Sequence, residues 1–96
     1  MTIFISGKIT GDEKYKSKFH LAKFAIRELY PEAAIISPTD LELFNMEYED
    51  CLDVTLKIIE HCDLIVMLND WKQSNGAKLE YEYAKGLGKE IRFGVK

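Results

Sequence analysis

Four short apolar segments alternate with three stretches of helical spacing, and this alternation limits the fold more than any other feature of the chain. The apolar segments are residues 2–6, 33–37, 63–68 and 91–95. Their apolar residues run continuously instead of alternating with polar ones, the pattern of strands covered on both faces. Between them, residues 15–30 place Phe19, Ala22, Ile26 and Leu29 at helical spacing, and Pro31 stops that helix. Residues 48–61 carry Leu52, Leu56 and Ile59 on one stripe and Cys51, Val54 and Ile58 on the next. That helix is apolar around much of its circumference, so part of it is expected to face a partner subunit. Residues 77–87 form the third helix, ending at Gly88. The segments 8–13, 39–47 and 69–76 read as loops.

Strand–helix alternation with right-handed crossovers leaves few topologies. The expected fold is a small flavodoxin-like (Rossmann-like) three-layer α/β fold with a four-stranded parallel sheet in the order 2-1-3-4. Ligands bind such sheets at the carboxyl ends of the strands, where the order reverses. The loops after Ser6 and Leu68 should therefore lie side by side. With 96 residues there is chain for one domain, residues 1–96. So short a domain buries only roughly 60–65% of its unfolded surface, which favours a homodimer or larger homo-oligomer.

Charge and composition exclude several classes. The 13 Lys+Arg against 16 Asp+Glu give a net charge of -3. No basic cluster suits a nucleic-acid polymer. The longest apolar run, residues 64–68, is too short to span a membrane, and the first residues lack a signal-peptide pattern. Cys51 and Cys62 have no metal-ligand spacing and read as small buried hydrophobes of a reducing, cytoplasmic setting. His20 and His61 are isolated, so no metal or other cofactor is expected.

The third helix carries one anomaly. Its sheet-facing stripe comprises Ala77, either Glu80 or Tyr81, Ala84, Leu87 and Gly88. A carboxylate there needs partners or a cleft, because burying an unpaired charge is unfavourable by several kcal/mol, on the order of an isolated buried ion. Spacing allows Glu80 to tilt to solvent with Tyr81 in the core, or the reverse. Ser74, Asn75 and Gly76 precede this helix and suit either simple capping or an anion site made of free N–H groups. Gly7 and Gly11 would let backbone approach a ligand. Lys14, Lys16 and Lys18 read as a solvated helix face, and only Lys8 sits at a strand end. Glu47, Glu49, Asp50 and Asp53 read as a charged helix start.

Residues 4–11 (Phe-Ile-Ser-Gly-Lys-Ile-Thr-Gly), residues 61–68 (His-Cys-Asp-Leu-Ile-Val-Met-Leu), Asp70-Trp71 and residues 74–80 (Ser-Asn-Gly-Ala-Lys-Leu-Glu) resemble the nucleoside 2-deoxyribosyltransferase-like superfamily. The similarity covers nearly the whole chain and is closest to a short branch common in phages and prophages. It implies a domain that binds a nucleoside or nucleotide. In active members a Glu attacks the anomeric carbon, the base leaves, and a second base or water resolves the glycosyl ester. Glu80 matches that nucleophile. Ser74 and Gly76 match the phosphate-binding helix start, and Ser6, Gly7, Lys8, Ile9 and Asp70 match the loops around sugar and phosphate. The resemblance also implies a homo-oligomer whose neighbour completes the pocket.

Three positions depart from the family pattern. Phe4 stands where a Tyr hydroxyl commonly bonds the nucleophile. Thr55 stands where an Asp commonly acts on the sugar or leaving base. Asp53 lies about 200° round the helix from Thr55 and is no substitute. Lys8 replaces a common Pro. A missing acid–base partner lowers rate by about 10²–10⁴-fold. Three functions therefore stay open: an N-glycosidase or deoxyribosyltransferase acting through Glu80, a non-catalytic binder of a nucleotide or nucleotide-derived signal, and an interaction protein without ligand.

Overall fold

A computed structural model describes residues 1–44 and 48–94, leaving aside the side chains of residues 42–44 and 48–51. The chain runs β1 (Thr2–Ser6), α1 (Tyr15–Leu29), β2 (Ala34–Ile36), a 3-10 helix (Pro38–Phe44), α2 (Tyr48–Glu60), β3 (Leu64–Met67), a 3-10 turn (Trp71–Gln73), α3 (Asn75–Gly86) and β4 (Glu90–Phe93). All strand pairs are parallel, and the order is β2-β1-β3-β4, as the sequence pattern predicts.

Alternation along each strand divides the core in two. Ile3, Ile5, Leu64, Val66 and Leu68 pack with Phe19, Ala22 and Ile26 of α1. Phe4, Ile65 and Met67 face the opposite way, onto Ile59 of α2 and Ala77 and Ala84 of α3. The sheet thus carries one helix on one face and two on the other.

The structure differs from expectation at several points. Leu29, the last residue of α1, is 48% exposed instead of joining the packed stripe Phe19, Ala22 and Ile26. The segment after Pro38 is a 3-10 helix rather than irregular; residues 45–47, including Glu47, lie outside the described residues. Glu49, Asp50 and Cys51 have side chains outside the described set, as does the whole of Val95. α3 starts two residues earlier than spacing suggests, at Asn75, because Ser74 caps it with a hydrogen bond from the Ala77 N–H (3.1 Å). Its packed stripe is Gly76, Ala77, Glu80 and Ala84. Leu87 and Gly88 end up exposed beyond the last turn, and Tyr81 packs beside Trp71 and Phe93 instead of taking the core place. Leu52, Val54, Leu56, Ile58 and Ile59 of α2 are all at least half-buried. The exposed large apolar side chains lie elsewhere, with Leu21 and Phe24 of α1 the most exposed.

Candidate functional site

The site begins where β1 ends. Ser6, Phe4 and Met67 share the sheet face that α2 and α3 cover. At that level the small side chains of Gly76, Ala77 and Ala84 let α3 lie close to the sheet. Glu80 enters the layer through this gap and is 5% exposed. The Ser6 hydroxyl, fully buried, donates to Glu80 Oε1 at 2.6 Å. Thr55 of α2, also buried, places its hydroxyl beside the same carboxylate and donates to the Leu52 carbonyl at 2.9 Å. Three elements distant in sequence thus converge on one carboxyl group.

Burial pushes the Glu80 pKa up; the Ser6 and Thr55 hydroxyls pull it down, and burial prevails. Its hydrogen-bond donor is the Ser6 hydroxyl, and no cation lies among its described partners. Phe4 is fully buried below it and adds only packing.

The loop that follows is pinned beside this point. The Leu68 N–H donates to the Ser6 carbonyl (2.8 Å), which brings the two strand ends together. A Cβ on Gly7 would lie 3.0 Å from Leu68 Cδ1, so a side chain there would push the strand ends apart. Gly11 has φ +83°, a left-handed turn that suits glycine. The backbone of Lys8 is held on both sides. Its N–H donates to Asp70 Oδ1 (3.1 Å), and its carbonyl accepts from Lys18 Nζ (2.6 Å). Lys18 Nζ also reaches Asp12 Oδ2 (2.7 Å) and Asp70 Oδ2 (2.5 Å). Lys18 is therefore a clamp rather than part of a solvated face. Burial alone would lower its pKa, but the two carboxylates hold it above the usual lysine value. Asp12 is held below the usual carboxylate range by Lys18.

The candidate residues form two neighbouring groups. Glu80, Ser6 and Thr55 meet directly. Lys8, Asp70 and Gln73 line a polar hollow of about 420 Å³ next to them. Asp70 spends both oxygens on the clamp. Ile9 turns the other way and packs against the α1-side core. Ser74 caps α3, accepting from Ala77 with its hydroxyl and from the Lys78 N–H with its carbonyl. Cys62 is buried, and burial raises its thiol to about 11. Among the described residues there is no group of three His, Cys, Asp or Glu able to hold a metal, and no helix is long and apolar enough to cross a membrane.

Replacing Lys18 by Met leaves Asp12, Asp70 and the Lys8 carbonyl without their shared donor. A lost hydrogen bond to a charged group is worth about 1.5–3 kcal/mol. In a domain of this size the melting temperature should fall by roughly 6–15 °C. Hydrogen exchange should show faster opening at the Lys8 amide; an unchanged amide would mean that the clamp does not hold the loop.

Sheet order and parallel pairing define a doubly wound, flavodoxin-like α/β domain. A 2-desoxiribosyltransferase from Leishmania mexicana superposes with a TM-score of 0.73 over 96% of this chain, at 20% identity. The match covers 62% of that enzyme, so the present chain spans less than two thirds of its length. The family described as "Domain of unknown function (DUF4406)" matches residues 1–93, and the chain belongs to it. No curated protein matches the sequence.

Proposed function

We propose that residues 1–96 form a single nucleoside- or nucleotide-binding domain of N-glycosidase type, in which Glu80 is the nucleophile. The observation that carries this reading is a carboxylate 5% exposed, bonded by the Ser6 hydroxyl and with no cation among its described partners, at the carboxyl end of β1. Burying it without a cation is unfavourable, and such groups cluster at functional sites. In the proposed reaction the ionised Glu80 attacks the anomeric carbon of the sugar. The C–N bond breaks, its electron pair leaves with the base, and the base takes a proton from water. A second base, or water, then displaces the ester and frees Glu80. Ser6 orients the attacking oxygen. Gly7 and Lys8 border the sugar–phosphate region, as do Ile9 and Asp70 through the loop they help hold. Ser74 and Gly76 present the start of α3 to a phosphate. Of the superfamily's branches, we assign the chain to the short phage and prophage one, acting in the cytoplasm.

A second reading has its own support. Phe4 and Thr55 supply neither the hydroxyl nor the acid that the superfamily pattern places there, which favours a binder that does not turn over. Incubation with a panel of deoxynucleosides and their 5′-monophosphates separates the two. Release of free base, with a glycosyl adduct on Glu80 in denaturing mass spectrometry, supports the enzyme. Calorimetric binding without base release supports the binder. No binding and no release would end both readings.

A further inference from the structure

The two faces of the sheet are unequally covered, and among the described residues α1 is the one helix on its side. Its outer surface is not that of a solvated helix. Leu21 and Phe24 are each 66% exposed. Beside Leu21 runs a groove of about 540 Å³ with an apolar floor of Ala22, Ala25 and Leu68. Lys14, Ser17, Leu21, Phe24 and Glu28 follow one another at intervals of three, four, three and four residues, a seam that faces outward.

The charges at the ends of this seam are placed against their own helix. α1 has no acidic residue in its first turn, where the macrodipole favours one. Lys14 stands at its positive end and Glu28 near its negative end, both exposed and without an ion pair among the described residues. Local helix stability does not account for them. A second helix laid antiparallel across the seam does. With Leu21 against Leu21 of the other copy, residue 14 falls opposite residue 28 and Ser17 opposite Ala25. Each Lys14 then meets a Glu28 carboxylate and the negative end of the neighbouring helix, and each Glu28 meets a positive end. The end charges and Leu21 are their own complement under a twofold axis, the requirement for an isologous dimer.

We propose that the outer face of α1 binds a second copy of this chain, α1 against α1 in antiparallel orientation. Leu21 of each copy packs against Leu21 of the other at the edge of both grooves, with Phe24 covering the flank of the contact. This surface differs from the α2 face that the sequence pattern suggests, and the proposal is independent of any glycosyl chemistry.

Sedimentation equilibrium on the purified protein tests it. The wild type should show a concentration-dependent monomer–dimer equilibrium. Leu21→Glu should weaken dimerisation by at least about 100-fold, since it puts two charges at the centre of the contact. Lys14→Glu alone and Glu28→Lys alone should each weaken it by about ten-fold, because each change creates two like-charge contacts. The double variant K14E/E28K should return to within about three-fold of wild type, because the swap restores complementarity. All three positions are on the surface, and circular dichroism confirms that each of the four variants is folded. A wild type that is monomeric throughout would overturn the proposal. So would a dimer indifferent to Leu21→Glu, or a charge swap that fails to rescue; the former would place the contact on another face, the latter would exclude this antiparallel register.

Discussion

Glu80→Gln is expected to raise the melting temperature at neutral pH while removing any release of base. Gln keeps the shape and can still accept from Ser6, but it carries no charge into the core. Relief of such a strained functional group is typically worth about 0.5–2 kcal/mol. For a domain of this length that is roughly 2–10 °C. The sign of the pH dependence follows from the raised pKa. The native state binds a proton at Glu80 more tightly than the unfolded chain does. This contribution is fully present below the ordinary glutamate value and is lost as pH rises through the higher native value. The stability gap between variant and wild type should therefore widen with increasing pH and close in acid. Any glycosyl chemistry should follow the opposite course, growing as Glu80 ionises. Thermal melts of both proteins across pH, beside base-release assays, give the answer. A Gln variant less stable than wild type at neutral pH would mean that the site stabilises its carboxylate rather than tolerating it.

Ser6→Ala should act in the reverse direction. It removes the 2.6 Å donor to Glu80 Oε1 and leaves Thr55 as the flanking hydroxyl. Loss of a buried hydrogen bond to a charged group costs about 1.5–3 kcal/mol. The loss should be largest where Glu80 is ionised and smaller in acid. With its donor gone, Glu80 should also titrate still higher, moving the onset of any activity to higher pH. A double-mutant cycle with Glu80→Gln isolates the pair, since Ser6→Ala should cost far less in the Gln background. Equal cost in both backgrounds would assign Ser6 to packing alone.

The sheet order could be read from the sequence because continuous apolar strands leave little choice of layer, and crossover handedness leaves little choice of order. The site was legible only in part. Glu80 and Tyr81 are adjacent on a stripe of small residues that accommodates either, so spacing could not choose between them. The choice depends on Ser6, 74 residues away, whose hydroxyl reaches only a carboxylate turned inward. Ser6 itself reads as an ordinary strand end until β1 and α3 are brought together. Lys18 was hidden for a similar reason: its neighbours Lys14 and Lys16 sit at solvated positions, while one of its acceptors, Asp70, lies 52 residues on. The seam on α1 is local and could have been found by registering the apolar residues opposite the buried stripe. The signal is the pair Leu21 and Phe24, which no core position requires.

Of the four strands, the one earliest in sequence, β1, occupies the interior of the sheet, and this governs how the domain can fold. β1 pairs with β2, roughly thirty residues later, and with β3, roughly sixty residues later. During synthesis at about 5–20 residues per second, its apolar face must wait seconds for β3 to arrive. The β1–α1–β2 unit can form early, but one edge of β1 remains unpaired until then. Glu80 comes later still, and its carboxyl group meets Ser6 only when α3 packs onto the paired β1 and β3. The buried acid is thus a late arrival, and its contact with Ser6 joins residues 74 positions apart.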